Sequence, residues 1–340
     1  MNKIRYKKPI YPVNPTLERY LERHARQYQL PLEYSDLLRY SEEVPLLDSD
    51  GNPTLWNSVI YGPFESDELN AKLIQIYQIL VADGSHINYL KVDRVDFCVY
   101  GNSQPFRVKI LNQLNDNYDY YYIKKADSSR IYGLELEHLI SPNKINFIYH
   151  KQTLVEEHTV GVPGDDFIDR LETFSEDHNL VRLSKEFVKF NERCFVQLLG
   201  DMRAYNFVVV VNQDFDDQQY RIRSIDFDQH CYEGRHRIYL PQFYPENRAY
   251  VELTQANMSL ETASQYLIEE QSLLRKRYTL EENQINELIQ LQRQDSISTE
   301  ANVKKLRSEL ATYHNDIGFK QCRNMGDILE RHILSRLSLL

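Results

Sequence analysis

Between about Val92 and Val160 the apolar residues recur at every second position, and on both sides of that stretch they recur at helical spacing. Val95, Phe97 and Val99 alternate with polar residues, as do Phe106, Val108 and Ile110. Gly101-Asn102-Ser103-Gln104-Pro105 separates the two runs, which is the pattern of a hairpin. A third strand is predicted over residues 118–125, then a short helix over 131–140 and two more strands near 145–149 and 153–159. Strands gathered in one stretch, with helices before and behind, give an α+β chain.

The flanking segments carry their own signals. Asn14-Pro15 sets a capping side chain before a proline at the first helical position. A second helix is predicted over residues 66–82, with Leu69, Leu73, Ile76 and Leu80 on one face, Asp67 and Glu68 in its first turn and Gly84 after its end. Asp48-Ser49-Asp50-Gly51-Asn52-Pro53 has the look of a calcium loop. It lacks the later ligands and the closing glutamate, and reads as a turn. Residues 1–90 therefore read as a helical extension. Gly161-Val162-Pro163-Gly164 ends the strand-rich stretch of 91–160. Residues 161–253 then offer a long helix with a stripe of Leu180, Leu183, Phe187, Phe190, Cys194 and Leu198, followed by a hairpin around an aspartate-rich turn. Residues 254–340 read as helical, with breaks near Thr279, Ser296 and Gly318. Their leucines predict packing against the preceding segment, with a partner-binding or dimer surface as the alternative.

Composition excludes several classes. No run of about 18 apolar residues is present, so no helix is expected to span a bilayer. The basic N-terminus has no apolar segment behind it and does not read as a secretory signal. Four cysteines far apart, with no CxxC pair, suit a reducing cytoplasm and indicate neither zinc nor a disulfide framework. A net charge of −10 argues against broad nucleic-acid binding.

The chemistry-bearing segment is Leu199-Gly200-Asp201-Met202-Arg203-Ala204-Tyr205-Asn206, between the long helix and a strand. Arg223-Ser224-Ile225-Asp226-Phe227-Asp228 follows across the hairpin. An acidic residue, an amide five positions on and a second acid beyond a hairpin suit phosphoryl transfer. The first carboxylate orients and deprotonates a hydroxyl, and the amide and second carboxylate are hard oxygen ligands for magnesium.

The run Gly200-Asp201-x-x-x-x-Asn206 resembles the catalytic loop of the protein-kinase-like superfamily, especially its aminoglycoside- and choline-kinase branch, and Ile225-Asp226-Phe227 resembles its metal-binding motif. Over roughly residues 92–250 the resemblance implies a bilobal fold, with a five-stranded antiparallel N-lobe sheet in 91–160 and a helical C-lobe in 161–253. It implies Asp201 as catalytic base, Asn206 and Asp226 as magnesium ligands with Asp228 as an added metal contact, and Arg203 as a contact to the transferred phosphate. For ATP it implies a lysine on the third strand paired with a glutamate on the next helix. Lys124 is preferred because an apolar residue precedes it, with Lys125 as competitor. Glu135 is preferred because Leu139 lies one turn later on the packing face, with Glu137 as competitor. Gly161-Val162-Pro163-Gly164 becomes the hinge, with Glu157 to Val160 near the adenine.

Three departures stand out. Leu199 replaces the usual histidine, only Gly101 represents the glycine-rich loop, and Asp228 replaces a glycine. The activity implied is ATP- and magnesium-dependent phosphotransfer to an unidentified hydroxyl, on a small molecule or a protein serine or threonine, with AMP transfer also open. The alternative is a pseudokinase or nucleotide-binding scaffold acting through its terminal helices.

Overall fold

Asn14 opens the first helix as its sequence predicts. Its Oδ1 accepts from the backbone N–H of Thr16 and of Leu17, each at 2.9 Å, and Pro15 takes the first helical position. The computed structural model describes residues 8–48, 50–171, 179–214 and 217–339. The basic N-terminus, Ser49 of the calcium-loop-like turn, and Phe215 and Asp216 of the aspartate-rich turn lie outside the described residues. The chain divides into two compact units: residues up to 128 together with 145–158, and residues 129–144 together with 159 onward.

The first unit contains α1 (Pro15–Arg23), α2 (Tyr34–Leu37), β1 (Glu42–Leu47), β2 (Pro53–Ile60), α3 (Pro63–Ala82), β3 (Leu90–Phe97), β4 (Phe106–Asn112), β5 (Tyr118–Lys125), β6 (Phe147–His150) and β7 (Thr153–Glu157). The strands form one antiparallel sheet in the order β1-β2-β3-β4-β5-β7-β6. It has seven strands where five were expected, because β1 and β2 arise from a segment read as a turn within a helical extension. The physical reason is exposure. Almost every residue of β1 faces solvent, so no burial alternation marks it, and β2 meets β3 only through Asn57 with Phe97 and Ser58 with Asp96. Leu69, Leu73, Ile76 and Leu80 of α3 share a core with Val92, Val95, Val108, Ile110, Tyr121 and Ile123 of the sheet. The Tyr121 hydroxyl donates to the Leu73 carbonyl at 2.8 Å, so even the polar tip in this core is satisfied.

In the second unit lie α4 (Ser128–Ile140, from Ser129 on), β8 (Val162–Pro163), α5 (Gly164–Leu171), α6 (Leu180–Val196), β9 (Phe207–Asp214), β10 (Asp217–Ser224), α7 (Arg248–Asn257), α8 (Leu260–Leu280), α9 (Glu282–Gln294), α10 (Glu300–Tyr313) and α11 (Met325–Arg336). β8, β9 and β10 make a small antiparallel sheet. The α6 stripe is buried at Leu183, Phe187, Phe190 and Cys194. Phe190 meets Phe207 of β9 at 5.0 Å between ring centroids, and Phe187 stacks on Tyr250 of α7 at 5.2 Å. Along the C-terminal helices Leu274, Leu288, Leu306 and Leu310 are buried, whereas Leu260 is exposed. Among the described residues no helix is long and apolar enough to cross a membrane. All four cysteines are free thiols and all are buried.

Candidate functional site

Leaving α6 at Val196, the chain must reverse before entering β9 at Phe207, and residues 197–206 make that loop. Leu198 and Asp201 take the left-handed backbone conformation, with φ of 49° and 58°. Non-glycine residues adopt it at a cost, which surrounding contacts must offset. Those contacts come from the 229–231 segment and from beyond it. Leu198 O accepts from Cys231 N–H at 2.9 Å, Gly200 N–H donates to Gln229 O at 3.3 Å, and Asn247 Nδ2 donates to Met202 O at 2.8 Å. Gly200 sits in tight space: a Cβ there would lie 3.1 Å from Ile238 Cγ2 and 3.2 Å from Gln229 O.

Two bonds bring the motif residues together. Asn206 Nδ2 donates to the Asp201 carbonyl at 2.7 Å, and Ile225 N–H donates to the Asn206 carbonyl at 3.1 Å. Because Phe207 faces Ser224 in the ladder, Asn206 and Asp226 lie at the same end of the hairpin. Asp201, Asn206 and the Ile225-Asp226-Phe227 run thus converge within the second unit.

A residue the sequence reading did not single out completes the cluster. Arg130, in the first turn of α4, sends Nη1 to Asp226 Oδ1 at 2.8 Å and to Asp228 Oδ1 at 2.9 Å, and Nη2 to the Ile225 carbonyl at 3.2 Å. Gly133, three residues on, allows the helix this close. A Cβ there would lie 2.9 Å from His230 Cβ and 3.3 Å from Phe227 Cβ. One signal was available: a cation in the first turn of a helix opposes the macrodipole and calls for a carboxylate partner.

Charge is dense around Asp201. Burial raises its carboxyl above the usual aspartate value, Arg203 opposes the rise with Nε at 2.7 Å from Oδ1, and Glu246 and Asp228 add to it. Burial works against the Arg203 charge, yet its bond to Asp201 keeps the guanidinium firmly protonated. Glu246 pairs with its Nη1, and the Tyr244 ring lies 4.9 Å below. The Tyr244 hydroxyl accepts from Asp201 N–H at 2.9 Å and donates to the Ile238 carbonyl at 2.8 Å. Burial also raises Glu233, and the Asp201 charge adds to it. Glu246 and Glu233 left no mark in the local pattern, since tertiary packing alone brings them here.

Among the described residues no group of three or more His, Cys, Asp or Glu is arranged to hold a metal ion. Asn206 and Asp226 offer one amide and one carboxylate, both partly exposed. Asp228 differs: its Oδ1 rests on Arg130 and its side chain is almost fully buried.

The residues expected at the nucleotide fall in both units. Lys124 is buried on β5, with Nζ 2.9 Å from Glu156 Oε2 on β7, its diagonal neighbour across the ladder. Lys125 is exposed. Glu157 ends β7 exposed, and Val160 is exposed in the second unit. Glu135 is buried on α4 and accepts from Gln284 Nε2 at 3.0 Å. Its competitor Glu137 is saturated by Ser141 Oγ, Asn143 Nδ2 and Gln197 Nε2 at 2.6, 2.8 and 2.6 Å, and so ties α4 to the end of α6.

No protein-family model and no curated protein matches the chain.

Proposed function

We propose that the cluster around Asp201 is the active site of an ATP- and magnesium-dependent phosphotransferase with a protein-kinase-like layout. The observation that carries this reading is the pair of bonds joining Asn206 to the Asp201 carbonyl and Ile225 to Asn206, which gathers a half-buried carboxylate, an amide and a second carboxylate. Magnesium favours such hard oxygen donors and takes its remaining ligands from phosphates and water, so a two-residue donor set fits it. Asn206 and Asp226 would hold the ion, which would supply positive charge to neutralise phosphate oxygens. Asp201 then accepts the proton of the acceptor hydroxyl. The hydroxyl oxygen bonds to the γ-phosphorus, the bond to the β-phosphate oxygen breaks, and ADP leaves with that electron pair. Its raised pKa suits Asp201 to that proton transfer, and Arg203 beside it is suited to the charge on the moving phosphoryl group.

A second reading has an observation of its own. Arg203 Nε already occupies Asp201 Oδ1, as a nucleotide-binding scaffold that performs no transfer would allow. Thermal denaturation with and without ATP and magnesium, followed by a search for labelled product from γ-labelled ATP, separates the two. Phosphotransfer requires both a shift and labelled product, and the scaffold a shift alone. With no shift in either the parent chain or Asp201→Ala, the nucleotide reading is wrong.

A further inference from the structure

We propose that Arg130 stands where a second divalent cation would otherwise bridge Asp226 and Asp228, so that the site takes its nucleotide with a single metal ion. The inference rests on the nucleotide reading above and adds a count and a residue to it. Asp226 and Asp228 are two positions apart, and the Asp228 N–H donates to Asp226 Oδ1 at 3.0 Å. Two carboxylates that share one cation gain an attraction that offsets their mutual repulsion. Two-metal sites supply that cation as the second ion. Here a single guanidinium nitrogen supplies it, 2.8 Å from one carboxylate and 2.9 Å from the other.

Three features make this cation permanent. A guanidinium keeps its proton at any ordinary pH. The Arg130 side chain is only 2% exposed, and its second nitrogen is bound to the Ile225 carbonyl. Finally, α4 is held against the 227–230 segment by the close approach at Gly133 and by Ser129 Oγ, which donates to the His230 carbonyl at 2.7 Å. Swinging Arg130 away would strand the Asp228 carboxylate, whose side chain is 6% exposed.

Counting bound Mn2+ by the loss of the free-ion EPR signal, with a non-hydrolysable ATP analogue present, tests the proposal on the intact chain. A single Mn2+ per chain is expected, and two would overturn it. Binding of neither ion nor analogue would sink the nucleotide reading itself, a distinct result. Arg130→Met is expected to lower Tm without metal and to recover it when Mn2+ alone is added, because the ion can then bridge the two carboxylates. Arg130→Lys keeps the charge and should show no such recovery. Should Arg130→Met not fold, the count on the parent chain decides alone. Equal Mn2+ effects on Tm in the parent chain and Arg130→Met would also count against Arg130.

Discussion

Asp201 is held by opposed influences: burial pushes its carboxyl toward the protonated form, and Arg203 pulls it back. A general base works as the carboxylate, so the acid limb of the kcat/KM profile should lie above the ordinary aspartate value of 3.8. Arg203→Met removes the lowering influence and should move that limb to still higher pH. Asp201→Asn should slow transfer about 10²- to 10⁴-fold, the usual contribution of a positioned base, while ATP binding measured by calorimetry persists. Lys124 and Glu156 give a stability counterpart. Both are buried, and breaking a buried ion pair is costly, so Glu156→Gln or Lys124→Met should cost up to about 3–5 kcal/mol in denaturant unfolding. Replacing both by apolar residues should recover most of that loss. Asp201, Asn206 and Asp226 were legible because their chemistry and spacing lie within short runs of chain. Arg130, Glu156 and Glu246 were not, because each takes its role from a partner distant in sequence.

At the level of elements, α4 depends on Gly133. Alanine has the better helix propensity by about 1 kcal/mol, yet here its methyl would meet the Cβ atoms of His230 and Phe227. Gly133→Ala should therefore lower Tm. Where α11 and the end of α10 meet α6, His332 Nε2 donates to the Phe195 carbonyl at 2.8 Å, and its Nδ1 lies 2.9 Å from His314 Nε2. Burial, then nearby Arg336, lowers His314 from 6.5 to about 4 against a smaller opposing effect of Asp316, and burial lowers His332 as well. Unfolded, His314 takes its proton near 6.5, so this contribution to stability is complete above that pH and is lost as pH falls toward 4. Unfolding curves at pH 7.5 and 5 should differ, and His314→Gln should reduce the difference. The strands β3 to β7 and the helices α1, α3 and α6 could be read from periodicity and caps. The β1–β2 hairpin could not, because a solvated edge strand leaves no apolar alternation to detect.

For the molecule as a whole, the first unit is discontinuous, since β6 and β7 rejoin it after the chain has contributed α4 to the second. A fragment ending at residue 128 would leave β5 without β7, its ladder partner from Tyr121 to Lys125. Such an edge associates with other strands. The fragment should therefore aggregate in gel filtration, and a monodisperse, cooperatively folding fragment would contradict this. Periodicity marked where strands give way to helices, but a helix inserted between two strands of another unit's sheet has no signature in linear patterning.

The buried thiols make the chain its own clock. Cys98 belongs to the first unit and Cys194, Cys231 and Cys322 to the second. Burial pushes Cys231 up to about 12 and Cys322 to about 11, so neither is reactive while enclosed. Pulsed maleimide labelling followed by mass spectrometry would therefore time the breathing of each body separately. Modification of Cys231 in particular would register every excursion of the backbone that cradles Leu198.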